Sequence, residues 1–137
     1  LGSKHILIVH GKDGMDEISI STPTMIAELK DGEITEYEID PRDFGFEYAS
    51  IDQLHASNAA ESKAIIESVL NGACGPCRDI VLLNAGAAIY AANLAVTLED
   101  GINAAHEVIA SGAAKGKLDA LIAFTQKIST QDHHKII

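Results

Sequence analysis

The sequence predicts an α/β domain: a mixed sheet with an edge hairpin, packed on by helices. Three observations carry that prediction. A short β-branched apolar run, Ile6-Leu7-Ile8-Val9, stands near the start of the chain and has the length and composition of a strand. Two further strand-like runs, Met25–Leu29 and Glu33–Ile39, are joined by Lys30-Asp31-Gly32. An Asp-Gly pair between such runs signals a hairpin, because both residues tolerate positive φ. From about residue 57 the pattern changes to helical spacing, rich in alanine and punctuated by glycine. With 137 residues, 47% of them hydrophobic, residues 1–137 suffice for a single domain with its own core and are unlike a disordered chain.

The first run is continuous and apolar, which reads as a strand buried on both faces. It stops at His10-Gly11, turns through Asp13-Gly14, and then presents two adjacent acids, Asp16 and Glu17. In open α/β sheets ligands sit just past the carboxyl ends of strands. Two neighbouring carboxylates there form a site for a hard cation that takes oxygen ligands. An Asp-Glu pair elsewhere would be ordinary solvated surface; its place after a buried strand and a glycine turn sets this one apart.

Ile18-Ser19-Ile20-Ser21 alternates like a short extended piece until Thr22-Pro23 interrupts it. In the second arm of the hairpin, Glu33, Glu36, Glu38 and Asp40 surround Ile34, Tyr37 and Ile39. That is an edge with one wet face, and its charges discourage pairing with another chain. Pro41–Gln53 is a connection containing Phe44, Phe46 and Tyr48, three of the six Phe and Tyr residues. These aromatics read as pins that hold a long loop onto the sheet, in preference to a stacking platform for a ring.

Ser57 or Asn58 can cap the next helix, Glu61 favours its dipole, and Ala64, Ile65, Val69 and Leu70 form its stripe. Asn71-Gly72 ends it. Arg78–Leu98 is predicted to be one buried helix over most of its length, from its alanine content and extent. Leu98-Glu99-Asp100 opens another, with Ile102, Ala105, Val108 and Ile109 at helical spacing and Ser111-Gly112 as its end. Lys115-Gly116-Lys117 then separates a last helix whose apolar side is Leu118, Leu121, Ile122 and Phe124. The tail through His133-His134 has no cap and reads as an end that frays.

Twenty acids against ten Lys plus Arg give a formal charge of −10. A field of that sign repels nucleic acid and anionic membranes and argues against both as partners. No apolar run is long enough to span a bilayer, and no charged-then-apolar leader opens the chain. A phosphate-bearing substrate would need metal ions to supply the missing positive charge. Cys74 and Cys77 form a C-x-x-C, but no second ligand pair or thioredoxin-like context accompanies it. They read as loop cysteines. His10 is best explained by backbone hydrogen bonding at a strand end, and His106 as a helix residue. Gly11 and Gly14 are turn residues and not a phosphate cradle. No Ser-His-Asp or Cys-His arrangement is evident.

Four segments carry a family resemblance: HGKDGMDEIS at His10–Ser19, GPCRDIVLLNA at Gly75–Ala85, LEDGINAAHEVIASGAA at Leu98–Ala114 and LDALIAFTQ at Leu118–Gln126. In this order they resemble the carboxyl-terminal half of anthranilate phosphoribosyltransferases, the tryptophan-pathway glycosyltransferases. The resemblance implies that this chain is a carboxyl-terminal portion of such a two-domain enzyme, with the fold of its α/β domain. It implies transfer of the phosphoribosyl group from phosphoribosyl diphosphate to anthranilate, in the cytoplasm, by an enzyme that dimerises through its helical part. It also implies that Asp16 and Glu17 fall on the pair that binds the magnesium accompanying the diphosphate. The family's glycine-rich diphosphate loop and its anthranilate-binding Arg, His and Asn lie upstream of the matched region. No catalytic or substrate-binding residue is therefore assigned here, and the chain alone is expected to be inactive. A pyrimidine nucleoside phosphorylase, whose α/β domain is similarly organised, is the related alternative. A stand-alone acidic module that binds a cation or partner protein is the alternative from another class.

Overall fold

The structure, a computed structural model, describes residues 2–132; His133-His134 lies outside them. Strands β1 (His5–Gly11), β2 (Thr24–Lys30) and β3 (Glu33–Ile39) form a sheet in that order. Two single 3₁₀ turns at Pro41–Phe44 and Ile51–Leu54 follow. Then come α1 (Ala59–Leu70), α2 (Pro76–Ala91), α3 (Leu98–Ala110) and α4 (Ala113–Asp132). The α/β architecture read from the sequence holds. The expected mixed sheet is, among the described strands, antiparallel throughout. A two-residue turn joins β2 to β3, which only antiparallel strands allow, and the longer β1–β2 loop closes at its neck through the Lys12 amide and the Pro23 carbonyl.

The hairpin forms where the sequence places it. Lys30 pairs with Glu33, and Asp31 and Gly32 take φ of 53° and 85° between them. That is the double positive-φ turn whose twist suits a two-residue loop. β3 is the wet edge, with Ile34 73% exposed.

β1 differs from expectation. It lies at the other edge of the sheet, and its residues alternate: Leu7 and Val9 pack against the core while Ile8 is 67% exposed. The continuous apolar run is thus not buried on both faces, because the helical layer covers only one of them. Ile18 to Ser21 is not a strand either. Ile18, Ser19 and Ile20 are all buried in an irregular loop that folds back onto the sheet.

The core forms where α2 lies on the sheet. Leu83, Ala87 and Ile102 meet Ile18, Ile20, Ile26 and Ile39, and Phe44 and Phe46 pack against that cluster as pins. Tyr48 does not join them. Its hydroxyl donates to Asp40 at 2.7 Å and its ring carries the Arg42 guanidinium at 4.4 Å. Val69, Leu82, Ala105 and Ile109 form a second cluster between the helices.

Asn58 caps α1, its side chain accepting from the Glu61 amide at 3.0 Å. α2 begins at Pro76 and stops at Ala91, covering most of the expected Arg78–Leu98 stretch, and Asn93 enters the left-handed region at φ 57° just beyond its end. Thr97 and Asp100 then cap α3 reciprocally. α4 runs straight through Lys115-Gly116-Lys117, which does not separate it from the preceding turn. Its Leu121, Ile122 and Phe124 are exposed, as is Val108 of α3, so those apolar positions are not core in this chain. Among the described residues, no helix is long and apolar enough to cross a membrane.

Two features lock the layers together. α2 and α3 cross at Gly86 and Gly101, where a Cβ on Gly101 would stand 2.3 Å from the Gly86 carbonyl oxygen. Only hydrogen at both positions permits this approach. At the end of the sheet away from Gly11, Glu28 is buried and accepts from Tyr90 and Tyr37 hydroxyls at 2.8 Å and from His5 Nε2 at 2.9 Å. A carboxylate without such partners would be expensive to bury.

Candidate metal centre

The site is built on the loop from Lys12 to Pro23, which leaves β1 at Gly11 and returns to β2 at Thr24, its register partner. The Lys12 amide donates to the Pro23 carbonyl at 3.0 Å and closes the loop's neck. Lys12 also forms an ion pair with Glu38. Inside the loop, Asp13 is the hub. It accepts from the Met15 amide at 3.1 Å, from the Ser19 hydroxyl at 2.6 Å and from the Ser21 hydroxyl. Burial pushes the Asp13 carboxyl up, but the hydroxyls and the Met15 amide outweigh it and hold it below its ordinary value. The Ser19 hydroxyl accepts in turn from the Ser21 amide at 2.9 Å, and the Ser19 amide donates to Thr24 Oγ1 at 3.0 Å.

Asp16 and Glu17 project from this loop and are both exposed. Their neighbours on either side are tied down. Met15 donates its amide to Asp13 and accepts at its carbonyl from the Gly11 amide at 2.9 Å. Ile18 gives its amide to Asn84 Oδ1 and its carbonyl receives Asn84 Nδ2, both at 2.9 Å, while its side chain is buried. The two acids therefore sit between anchored residues, neither sealed in the interior nor on a free tip. Glu17, Ile18 and Asn84 border a cavity of about 170 Å³.

This donor set suits a hard cation in an open site. Magnesium is held by one or two carboxylates, with water and substrate phosphate completing its octahedron. Asp16 and Glu17 supply that number of carboxylates, and both are exposed to solvent. Among the described residues no cluster of three or more His, Cys, Asp and Glu could enclose a metal. His10 ends up exposed on β1 and His106 exposed on α3. The two cysteines are free, with separate partners: Arg78 Nη1 donates to Cys74 Sγ at 3.2 Å, and Cys77 Sγ donates to the Gln53 carbonyl at 3.4 Å.

The supporting residues Asp13, Ser19, Ser21 and Asn84 escape the sequence reading. Asn84 leaves a faint trace, as the polar residue within the apolar run LLNAGAA. Its partner is 66 residues away, and nothing local could identify it.

The profile of the glycosyl transferase family, a/b domain, matches residues 1–115. The chain is 54% identical over 129 residues to the anthranilate phosphoribosyltransferase of Acidovorax sp. (strain JS42), covering 94% of this chain and 38% of that enzyme. The chain thus spans less than two fifths of that curated relative. The crystal structure of anthranilate phosphoribosyltransferase from Thermus thermophilus superposes with a TM-score of 0.80 at 33% identity, over 89% of this chain and 36% of that one. A Saccharomyces cerevisiae variant of the enzyme with Mg bound superposes with a TM-score of 0.73 at 25% identity, over 84% of this chain and 34% of that one.

Proposed function

We propose, from the premise that this chain belongs to the glycosyl transferase family as its a/b domain, that it is the cation-bearing α/β portion of an anthranilate phosphoribosyltransferase. The reaction is transfer of the phosphoribosyl group from phosphoribosyl diphosphate to the amine of anthranilate, as a cytoplasmic step of tryptophan biosynthesis. In this reading residues 1–137 form one α/β domain of a longer, two-domain chain that works as a homodimer. The observation that carries it is the exposed Asp16–Glu17 pair held between anchored Met15 and Ile18. The Mg-bound relative supports magnesium as the cation.

In the transfer, the bond from the ribose anomeric carbon to pyrophosphate breaks, the amine nitrogen of anthranilate bonds to that carbon, and that nitrogen gives up one proton to solvent or to the departing pyrophosphate. When bound, magnesium supplies Lewis-acid neutralisation of the departing pyrophosphate. The chain's own part is to present Asp16 and Glu17 from a backbone anchored on both sides, open to solvent and to an incoming diphosphate. Substrate alignment supplies much of the remaining rate, and the side chains that would hold both substrates are assigned to the rest of the longer protein. No side-chain nucleophile is needed.

The test is a paired assay. The 137-residue chain alone is expected to show no phosphoribosyl transfer, and a longer protein that includes it is expected to be active. In that longer protein, Asp16→Asn or Glu17→Gln should lower magnesium-dependent turnover by about tenfold or more. Undiminished turnover in both variants would rule out the assigned role.

A further inference from the structure

We infer that Asn84 of α2 is a positioning residue for the Asp16–Glu17 cation site. This rests on the reading of that pair as cation ligands. Asn84 uses its amide fully in one direction: Oδ1 accepts from the Ile18 amide at 2.9 Å, and Nδ2 donates to the Ile18 carbonyl at 2.9 Å and the Ile80 carbonyl at 3.0 Å. The two carbonyls facing Nδ2 and the amide facing Oδ1 fix which way the group points. The bond to Ile80, one turn back on α2, locks the side chain against its own helix.

Ile18 directly follows Glu17, so the grip on its two backbone groups sets the direction in which the chain leaves the acid pair. The other side of the pair is set within the loop, by Asp13 and Gly11 acting on Met15. Asn84 is thus the anchor that comes from a different layer of the fold and ties the acids to the rigid helix under the sheet. Removing a partner that orients a metal ligand typically costs about 10–100-fold in affinity, and sites supported by helices are held more precisely than sites on loops alone.

A purely structural role would be to satisfy the backbone of Ile18, whose residue is only 1% exposed. The experiment separates the two. Mn²⁺, a paramagnetic stand-in for Mg²⁺, is titrated into the full 137-residue chain and its binding read from nuclear relaxation, with thermal melting measured on the same samples. Broadening centred on Asp16 and Glu17 is expected in the wild type. Asn84→Ala should weaken Mn²⁺ binding about tenfold. Leu82→Ala, in the same helix at a buried position, should lower the melting temperature yet leave Mn²⁺ affinity within roughly twofold.

Wild-type Mn²⁺ affinity in Asn84→Ala overturns the positioning role and leaves the cation reading standing. A wild type with no Mn²⁺ response at the two acids sinks both. Equal weakening in Leu82→Ala would make the effect one of stability and overturn the role as well. Should Asn84→Ala not fold, Asn84→Gln carries the test, since it keeps the amide but displaces it by one methylene. A measurable loss, smaller than the one expected for Asn84→Ala, is expected there, and unchanged affinity counts against the role. In the wild type, the Ile18 amide should be protected from hydrogen exchange; exchange at the rate of a free loop amide would refute the clamp.

Discussion

The Tyr90 hydroxyl donates to the Glu28 carboxylate at 2.8 Å, joining α2 to the middle strand of the sheet. The same hydroxyl accepts from Lys30 Nζ at 3.0 Å, and the His5 ring stands edge-on to the Tyr90 ring at 4.7 Å. A buried acid thus organises side chains from all three strands and a helix.

Burial pushes the Glu28 carboxyl up, but hydrogen bonds from Tyr90, Tyr37 and His5 outweigh it and hold it below its ordinary value. A carboxyl lowered by folding contributes stability that is complete above the unfolded-state value and lost as pH falls through the folded-state value. Glu28→Gln should therefore cost about 1.5–3 kcal/mol at neutral pH. The gap between variant and wild type should narrow towards about pH 3. Urea unfolding at both pH values measures it, and a pH-independent gap would disprove the linkage.

Gly32→Ala and Gly101→Ala should both destabilise, for unrelated reasons. At Gly32 a Cβ meets nothing within 4 Å, so the cost comes only from φ 85° and amounts to about 1–2 kcal/mol. At Gly101 the backbone is helical and the Cβ collides with the Gly86 carbonyl. Overpacking there costs about 1–3 kcal/mol, offset in part by alanine's helix propensity. Gly32→Asn, which tolerates the left-handed region, should recover much of the first loss in melting experiments. Gly101→Ser should recover none of the second.

Ser19→Ala removes a hydroxyl that donates to Asp13 and accepts from the Ser21 amide, at a residue with no exposure. Leaving that amide without its acceptor should cost about 1–3 kcal/mol. Faster hydrogen exchange confined to residues 13–21 is the expected signature; an unchanged exchange pattern would show that the loop is held otherwise.

Asp16→Asn and Glu17→Gln should change folding stability by no more than about 0.5 kcal/mol, as both residues are exposed. Under the proposed function their effect is on cation binding. A melting temperature several degrees below wild type in either variant would mark the acids as structural.

On α4, Leu121 and Phe124 are 57% and 62% exposed. Apolar surface of that kind drives association. Sedimentation of the 137-residue chain should show concentration-dependent self-association, and Leu121→Lys with Phe124→Lys should reduce it without lowering the melting temperature. Identical sedimentation of the double variant and wild type would place the association elsewhere.

Much of the framework is legible from neighbouring residues alone. The Asp31-Gly32 turn, the Asn58 cap of α1 and the Asn71-Gly72 end of that helix each depend on contacts within one turn of chain, so local chemistry identifies them. Where local reasoning fails, the deciding partner is distant. The run Ile6–Val9 looks buried on both faces, yet whether a second layer covers Ile8 cannot be read from the run. The apolar side of α4 has the right spacing for a core and is exposed all the same. The left-handed turn at Asn93 ends α2 inside a stretch whose alanine content suits a longer helix.

By itself, the sequence determined that a hairpin follows an apolar strand, where helices cap, and that two adjacent acids stand just beyond that strand, because such features depend on intrinsic backbone preference and side-chain type. The tertiary structure alone decided that those acids are held between anchored neighbours, that Asn84 reaches Ile18, and that Glu28 is buried with His5, Tyr37 and Tyr90 around it. Burial and hydrogen-bond partners arise when segments far apart in the chain share one interface, and that pairing exists only once the layers have packed.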